Sequence, residues 1–518
     1  MSKQDEYDRI MTRRILWKLD SHILPPLALL WLANFIDRSN VGNAKIAGLD
    51  RDAHLHGNQF NTALAVFYVT YLIVEVPSNI VLKKLKPNRW IPFLVFVWGI
   101  VTTLTALVHN FGGLVAIRLC LGFCEGGLLP GMILYLSTIY KRHELQLRVG
   151  IFYASASLSG AFGGLLATAI IKMDGVGGLA GWRWIFILEG LATIVASLIS
   201  AWVLPADVST AKFLSAEERA FAIRRFQADL ATPSEPGSLQ TSTPRKSSSP
   251  EGGEKDSEHQ VEDTGSVAVQ HILPENEEKF EWGEVMRGLT DIQTWLTGVA
   301  YCGLVVSLYS YSLFLPTIVT GLGYKGGAAQ LHTVPPYVPA VVLTVIVAIL
   351  SDRLKWRGPF ILICLPLTII GNFVRYIIAI TAQTNGTRYI AVFFMAAGVY
   401  PSGPCILSIL PNNSSGHYKK ATTTALQLAI ANTGGFIATF AYTQDQAPKY
   451  IRGHSIVLAF TVLSWSLIGL NVIYCLWENK ARREGRRQGN LEGYKRLWDS
   501  GKTRAPIGDR HPEFMYTL

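Results

Sequence analysis

Charged side chains are scarce in this chain. Asp, Glu, Lys and Arg make up 16% of its 518 residues, where soluble domains carry about a quarter. That shortfall excludes a soluble protein of this size. Cysteines are also few: Cys120, Cys124, Cys302, Cys364, Cys405 and Cys475 all fall inside apolar runs. None forms a CxxC pair and no His/Cys cluster has zinc-ligand spacing, so they read as small hydrophobes in helix packing and no metal is expected. No His or Cys/His site lies within an apolar run, which argues against a membrane enzyme, and no cofactor is expected. The first apolar run is not followed by a small-residue cleavage site, so no removable signal peptide is expected.

What is abundant is apolar surface. Hydrophobic residues make up 49% of the chain, with 13 Trp, 20 Tyr and 23 Phe, and the mean hydropathy is +0.27. A bilayer-crossing helix needs about 20 apolar residues, so twelve would use about 240. Apolar runs predict spans near 23–44, 60–82, 90–109, 112–139, 147–171 and 182–204. A second set falls near 292–321, 329–351, 358–381, 387–410, 420–442 and 455–478. The expected fold is an all-α membrane protein with twelve transmembrane helices in two pseudo-symmetric six-helix bundles.

The expected domains are a cytoplasmic segment 1–22, a first bundle 23–205, a linker 206–288, a second bundle 289–479 and a basic tail 480–518. Thr232 to Ser266 is rich in Ser, Thr, Pro, Gly and Glu; it lacks the apolar surface to order itself and reads as flexible, making the linker largely disordered. Its Ser247-Ser248-Ser249-Pro250 cluster suits phosphorylation or is a plain tether. Lys and Arg favour the ends, the linker and the loops after even-numbered spans, which places both termini in the cytoplasm. The net charge of +10 therefore reads as an orientation and lipid-headgroup signal, with no nucleic-acid partner.

The halves echo one another. Pro77-Ser78-Asn79 followed by Lys83-Lys84-Leu85-Lys86-Pro87-Asn88-Arg89 ends span 2, and Ser351-Asp352-Arg353-Leu354-Lys355-Trp356-Arg357-Gly358 ends span 8. Paired six-helix halves with a site between them resemble the major facilitator superfamily. The first turn lacks that superfamily's usual acidic residue and glycines; the second keeps Asp352 and Arg353, candidates for a cytoplasmic gate.

Ionisable residues within spans are functional candidates because hydrocarbon penalises them. Asp37 and Arg38 lie about 21 Å into span 1, and Arg118 and Glu125 share a face of span 4 about 10 Å apart. That is too far for direct pairing, so span 1 is expected to supply their partners. A carboxyl beside a guanidinium can be poised to load and release a proton, while the arginine offers a permanent charge to an anion. The alternative is structural pairing of spans 1 and 4. Glu75 and Glu189 read as gate or packing residues, and Arg375 as snorkelling outward. Span 4 carries Gly122 and Gly126, and span 5 Gly160, Gly163 and Gly164, at spacings that permit close helix approach.

Asp37-Arg38-Ser39-Asn40-Val41-Gly42-Asn43-Ala44 and Lys45-Ile46-Ala47-Gly48-Leu49 closely resemble the first-span signature of the anion:cation symporter family. Tyr140-Lys141-Arg142-His143-Glu144, Gly181-Trp182-Arg183-Trp184, Leu315-Pro316, Gln330-Leu331-His332, Asn412-Asn413, Gly434-Gly435 and Gly453-His454 carry the resemblance onward. The chain is most similar to the fungal allantoate permease group, whose members take up nicotinate, allantoate, pantothenate and similar anions. The resemblance implies Asp37 and Glu125 as proton-coupling residues, with Arg38 and Arg118 beside the substrate. It also implies contacts from Tyr71, ahead of Pro77, and from Ser157, with Gln427 and Asn432 from the second half, or helix-helix hydrogen bonds at those two.

The function expected is proton-coupled uptake of a small organic anion by a monomer in the plasma membrane. Span 5 lacks the Gly-Pro pair of many drug antiporters of the superfamily, which favours uptake. The alternatives are an exporter of a fungal metabolite and a nutrient sensor that does not transport. Asn385-Gly386-Thr387 forms a glycosylation sequon in a predicted outer loop.

Overall fold

The computed structural model describes residues 3–231 and 281–518, apart from 325, 382–384, 448, 504 and 506 and some side chains within helices. Among the described residues twelve long segments follow in order. In the first half they are α1 Lys3–Ala44, α2 Gln59–Lys84, α3 Pro87–Leu104, α4 Phe111–Ser137, α5 Arg142–Ile170 and α6 Gly181–Val203. In the second they are α7 Ile292–Thr320, α8 Tyr337–Leu354, α9 Gly358–Thr381, α10 Asn385–Asn413, α11 His417–Ala441 and α12 Ile451–Arg483. Local chemistry sets several starts. Pro87 opens α3, the Asn110 side chain accepts from Gly113 N at α4, and the Asp291 side chain accepts from Gln293 N at α7.

The packing repeats with a shift of six. In the first half α1 packs on α5 and α6, α2 on α4, and α3 on α4 and α6. In the second α7 packs on α11 and α12, α8 on α10, and α9 on α10 and α12. The halves meet through α2 with α11, α5 with α8, and α1 with α7. Among the described residues eight helices are long and apolar enough on their own to cross a membrane, and α5 and α9 contribute shorter apolar stretches. Helix α11, with Thr422, Thr423 and Thr424 and the Asn432-Thr433-Gly434-Gly435 run, lies between α7 and α2. Such a position needs less lipid-facing surface.

Hydrogen bonds tie the halves at the end of the bundle away from both termini. There Asn61 Nδ2 donates to Thr439 O (2.5 Å) and Tyr442 O (3.1 Å), and Gln444 Nε2 to Asp50 Oδ2 (3.4 Å). Small residues carry the rest of this seam. Side chains on Gly160, Gly164 or Gly435 would strike Tyr337, Thr333 and Tyr68 of the opposite half.

The segments outside the spans are more structured than composition suggests. Helix α1 is 42 residues long, about 60 Å, twice the hydrocarbon thickness. Its first half carries a helix, Ala216–Ala231, from the linker. Ser215 and Glu218 form a capping box there. Glu218 binds Lys18 (2.7 Å) and Arg14 (3.0 Å), and Arg225 binds Glu144 (2.7 Å). Both flanks of the linker are thus helical, with Trp282–Thr290 at its far side; Thr232 to Ser266 lies outside the described residues.

Part of the basic tail packs on the protein itself. Residues 507–518 fold back as a strap on the second half. Asn479 Oδ1 and Nδ2 pair with Tyr516 N and O (2.8 Å each), and Asn413 Oδ1 accepts from Thr517 N (2.8 Å). Arg357 N donates to Leu518 O (2.5 Å). Beneath the strap, buried Lys419 binds Asp291 (2.5 Å) and Asp509 (2.6 Å), and Asp509 also binds Arg287 (3.0 Å). The tail's positive charge is therefore partly spent on internal partners; Arg482 and Arg487, for example, both hold Glu478.

Two outcomes are expected. Asp509→Ala strips a buried ammonium of one anion; breaking buried pairs costs about 3 kcal/mol. The purified variant should melt several degrees lower and lose protection at its C-terminus, whereas an unchanged melt would mean the strap is not anchored there. At Glu218, donation from Lys18, with help from Ser215 and Arg14, holds the carboxyl below its ordinary range. Its contribution to docking is full above about pH 4.3, the free carboxyl value, and is lost as pH falls through its lower folded value. Hydrogen exchange of residues 216–225 should stay protected at neutral pH and quicken only on that acid side.

Candidate functional site

The centre of the first half is built on one face of α1. Asn34, Asp37, Arg38 and Val41 recur at helical spacing and point into the bundle, where all are buried. Asn34 Nδ2 donates to Glu125 Oε2 at 2.6 Å, and Arg38 Nη2 approaches the same oxygen at 3.4 Å. Arg38 Nη1 donates to Tyr309 Oη of α7, in the other half, at 2.6 Å. Four rings enclose the guanidinium: Phe35, Phe67, Tyr71 and Tyr309 have centres 5.3–5.6 Å from its carbon. Cation–π contact in so dry a place is worth about 2 kcal/mol and offsets part of the cost of stripping water from the charge.

A second cluster lies beside the first. Asp37 Oδ2 accepts from Trp98 Nε1 of α3 at 3.1 Å, and Glu189 Oε2 of α6 accepts from Asn40 Nδ2 at 3.0 Å. Arg118, 4% exposed, sits in the field of Asp37, Glu125 and Glu189, with Nε and Nη2 unpartnered. The expectation that Arg118 and Glu125 are too far apart to pair agrees with this division: Glu125 takes Arg38, and Arg118 stands among the other carboxyls.

Glycines let these groups converge. A side chain on Gly122 or Gly126 of α4 would collide with Phe67 or Tyr71 backbone on α2, and one on Gly42 with Leu313 on α7. The close approach brings Tyr71 against Arg38. Between them Arg38, Leu64, Phe67, Tyr68, Arg118, Glu125 and Leu313 line a small cavity. It has room for about one water.

Other predicted residues fall elsewhere. Gln427 is fully buried and donates to Ile406 O (3.2 Å), bonding α11 to α10 and away from the Arg38 cluster. Asn432 reaches across the seam to Glu75 Oε2 of α2 at 3.4 Å. Asp352 does not pair with Arg353: it binds Arg357 at 3.0 Å, while Arg353 is exposed. The side chains of Ser157, Asn385 and Arg375 and the 247–250 serines lie outside the described residues.

Several site residues escaped the sequence reading: Asn34, Phe35, Phe67, Trp98 and Tyr309. Asn34 had a usable signal, a polar residue one turn before Asp37 and Arg38 in an apolar run. Tyr309, in Leu308-Tyr309-Ser310-Tyr311-Ser312, had none that singles it out from Tyr311. The quoted signature residues serve as fasteners. Trp182 Nε1 donates to Asp52 Oδ2 (2.9 Å), and Arg183 holds Ala106 O and Val108 O, closing α6 onto the turns after α1 and α3.

The model of the Major Facilitator Superfamily matches residues 27–439. The chain belongs to that superfamily. It is 36% identical over 474 residues to the uncharacterized transporter C1002.16c of Schizosaccharomyces pombe, covering 91% of this chain and 85% of that one. It is 30% identical over 506 residues to the high-affinity nicotinic acid transporter of Saccharomyces cerevisiae, covering 98% and 85%. Among solved structures, the D-xylose-proton symporter superposes with a TM-score of 0.61 at 12% identity, covering 86% of this chain and 96% of that one, which speaks to the fold alone. As a superfamily member the protein is a multi-pass membrane transporter of small molecules and not an enzyme.

Tyr309→Phe keeps the ring over Arg38 and removes the oxygen that accepts from Nη1. A hydrogen bond to a charged group contributes about 1.5–3 kcal/mol. With that internal acceptor gone the anion meets less competition for Arg38, and the variant should transport with a KM lowered roughly tenfold; a wild-type KM would mean that the Tyr309 hydroxyl does not compete with the anion.

Proposed function

We propose that this transporter carries a small, flat organic carboxylate together with a proton into the cell across the plasma membrane, as a monomer with cytoplasmic termini. The observation that carries this reading is Arg38: a permanent cation, buried, ringed by four aromatic side chains, and 3.4 Å from Glu125. A guanidinium selects a carboxylate and the rings offer faces on which a planar ligand can stack. Nicotinate, the substrate named for one relative, has both features. Tyr71 supplies one of the faces; Arg118 raises the local positive potential.

Coupling follows from competition. In the empty protein Glu125 accepts from Asn34 and faces Arg38. An arriving carboxylate draws Arg38 toward itself, Glu125 loses its cation, and a carboxylate left unpaired in a dry site takes a proton. Asp37, at the same helical turn as Arg38, stands ready as the other proton-coupling carboxyl. With proton and anion both aboard, the added charge is zero, and the site can move between the two sides without dragging a net charge through hydrocarbon. On the inner side the proton leaves, Glu125 recovers Arg38, and the anion is displaced. Asn432, bonded to Glu75 across the seam, acts on this reading as a contact that opens with the halves, and Asp352 with Arg357 stiffens the inner turn.

Glu125→Gln keeps the acceptor for Asn34 but cannot release a proton. In cells supplied with labelled nicotinate, the variant should exchange internal for external label while losing accumulation against a gradient. A protonophore should abolish accumulation by the wild type and leave the variant unaffected. Wild-type accumulation by the variant would overturn the role of Glu125, and no nicotinate movement by the wild type would overturn the substrate.

A further inference from the structure

Asp37, Arg118 and Glu189 come from α1, α4 and α6 at one depth: seven, seven and eight residues from the helix ends facing away from the termini. That is about 10 Å below that end. Glu125 lies a further two turns in. The three side chains leave complementary atoms over. Arg118 Nε and Nη2 are donors without acceptors; Asp37 Oδ1 and Glu189 Oε1 are acceptors without donors, and all four atoms are buried. Each carboxyl is anchored by its other oxygen, Asp37 to Trp98 and Glu189 to Asn40. Asp37, Arg118 and Glu189 thus lie in one another's fields, between the outer end and the Arg38–Glu125 site, each with buried polar atoms to spare.

We propose that Glu189 is a proton-relay residue of this transporter, the first carboxyl to take the proton from the outer side and the one that hands it to Asp37. The proposal rests on proton-coupled uptake as read above. A proton from outside water bonds to Glu189 Oε1. That O–H bond then breaks toward a water bridging the two carboxyls as one O–H of the same water breaks toward Asp37 Oδ1, so the proton advances and the water is unchanged. Arg118 stabilises whichever carboxylate is ionised at the time.

Charge counting supports a third carboxyl in this role. Arg38 and Arg118 contribute two positive charges, and Asp37, Glu125 and Glu189 three negative ones when all are ionised. The empty cluster is neutral with one proton aboard, and with a monoanion bound it is neutral with two. Each anion then brings in one proton, and the resting proton is held ready among these carboxyls. Without Glu189 the empty cluster is neutral with none. The groups facing Glu189 are Asp37 and Asn40 from α1 and Arg118 and Glu125 from α4. Helix α3, packed beside it where Gly99 meets Gly190, presents the uncharged Trp98 to Asp37.

The test compares three variants of the full-length transporter in cells. Glu189→Gln preserves the acceptor for Asn40 and removes the titrating group; it should exchange nicotinate as the wild type does but lose the rise in uptake that acidifying the outside produces. Asn40→Ala breaks the Asn40–Glu189 bond and leaves the carboxyl; it should keep that rise, whereas a purely structural Glu189 would leave Glu189→Gln with the wild-type rise and make Asn40→Ala the variant that fails. Glu189→Asp should restore part of the response. An unchanged pH profile in Glu189→Gln, with Glu125→Gln run alongside and losing accumulation, would overturn the relay and leave proton coupling standing. Loss in neither variant would overturn the coupling itself.

Discussion

A charge inside a bilayer has no solvent to answer it, so every ionised group in the spans must be answered by the protein, and the helices must sit where those answers are possible. In this chain the demand falls on one region. Arg38 needs the hydroxyl of Tyr309, the carboxyl of Glu125 and four ring faces; Glu125 needs Asn34; Asp37 needs Trp98; Glu189 needs Asn40. These partners come from α1, α2, α3, α4, α6 and α7. To bring six helices to one point, α4 must touch the backbone of α2 and α1 that of α7, which is what Gly122, Gly126 and Gly42 permit. The glycines and the charges are two sides of one requirement.

The two kinds of contact are distributed unevenly. Inside each half, ion pairs and multiple hydrogen bonds fasten the ends: Arg183 to the turn after α3, Arg148 to Asp20, Lys419 to Asp291 and Asp509. Between the halves, among the described residues, the seam is made of glycines against rings, a few backbone acceptors and a few side-chain bonds such as Arg38–Tyr309, Asn432–Glu75 and Gln444–Asp50. Small-residue packing involves little that must be desolvated or left unpaired on separation, whereas breaking a buried ion pair strands a charge. A molecule built this way yields along its seam before it yields within a half, which suits movement of two stiff bodies about a central site.

Much of this was legible in the sequence because it depends on local pattern. Span length, the six-plus-six division and the four charges Asp37, Arg38, Arg118 and Glu125 all follow from apolar runs and from residues that violate them. The depth argument also separated Arg118 from Glu125. What stayed hidden depends on rotation and on distant pairing. A helix such as α7, buried nearly all round, gives no periodicity to say that Tyr309 faces Arg38, 271 residues away in sequence. Glu189 was visible as a buried acid, yet only the crossing of α6 against α1 sets it at the depth of Asp37. The fold of the tail stayed hidden for a different reason: its basic composition was counted, but Arg482 and Arg487 are held by Glu478, and the tail's own Asp509 is held by Arg287 and Lys419 far away in the chain. Gln427 reads from sequence either as a substrate contact or as a helix-helix hydrogen bond, because polarity within a span does not distinguish a cavity from a neighbouring carbonyl; in the structure it bonds Ile406 O.

The occupied state of Arg38 bears on how tightly any anion can bind. The guanidinium already has a hydroxyl, a carboxylate and aromatic faces, and the cavity beside it holds about one water. An arriving carboxylate must widen that space and take over contacts that exist beforehand, so it gains only the difference between its own interaction with Arg38 and that of Glu125 and Tyr309. A bare buried arginine would bind far more tightly and release far more slowly. Retaining an internal competitor lets the same cation receive the anion on one side and give it up on the other, and the proton that silences the competitor decides which of the two occurs.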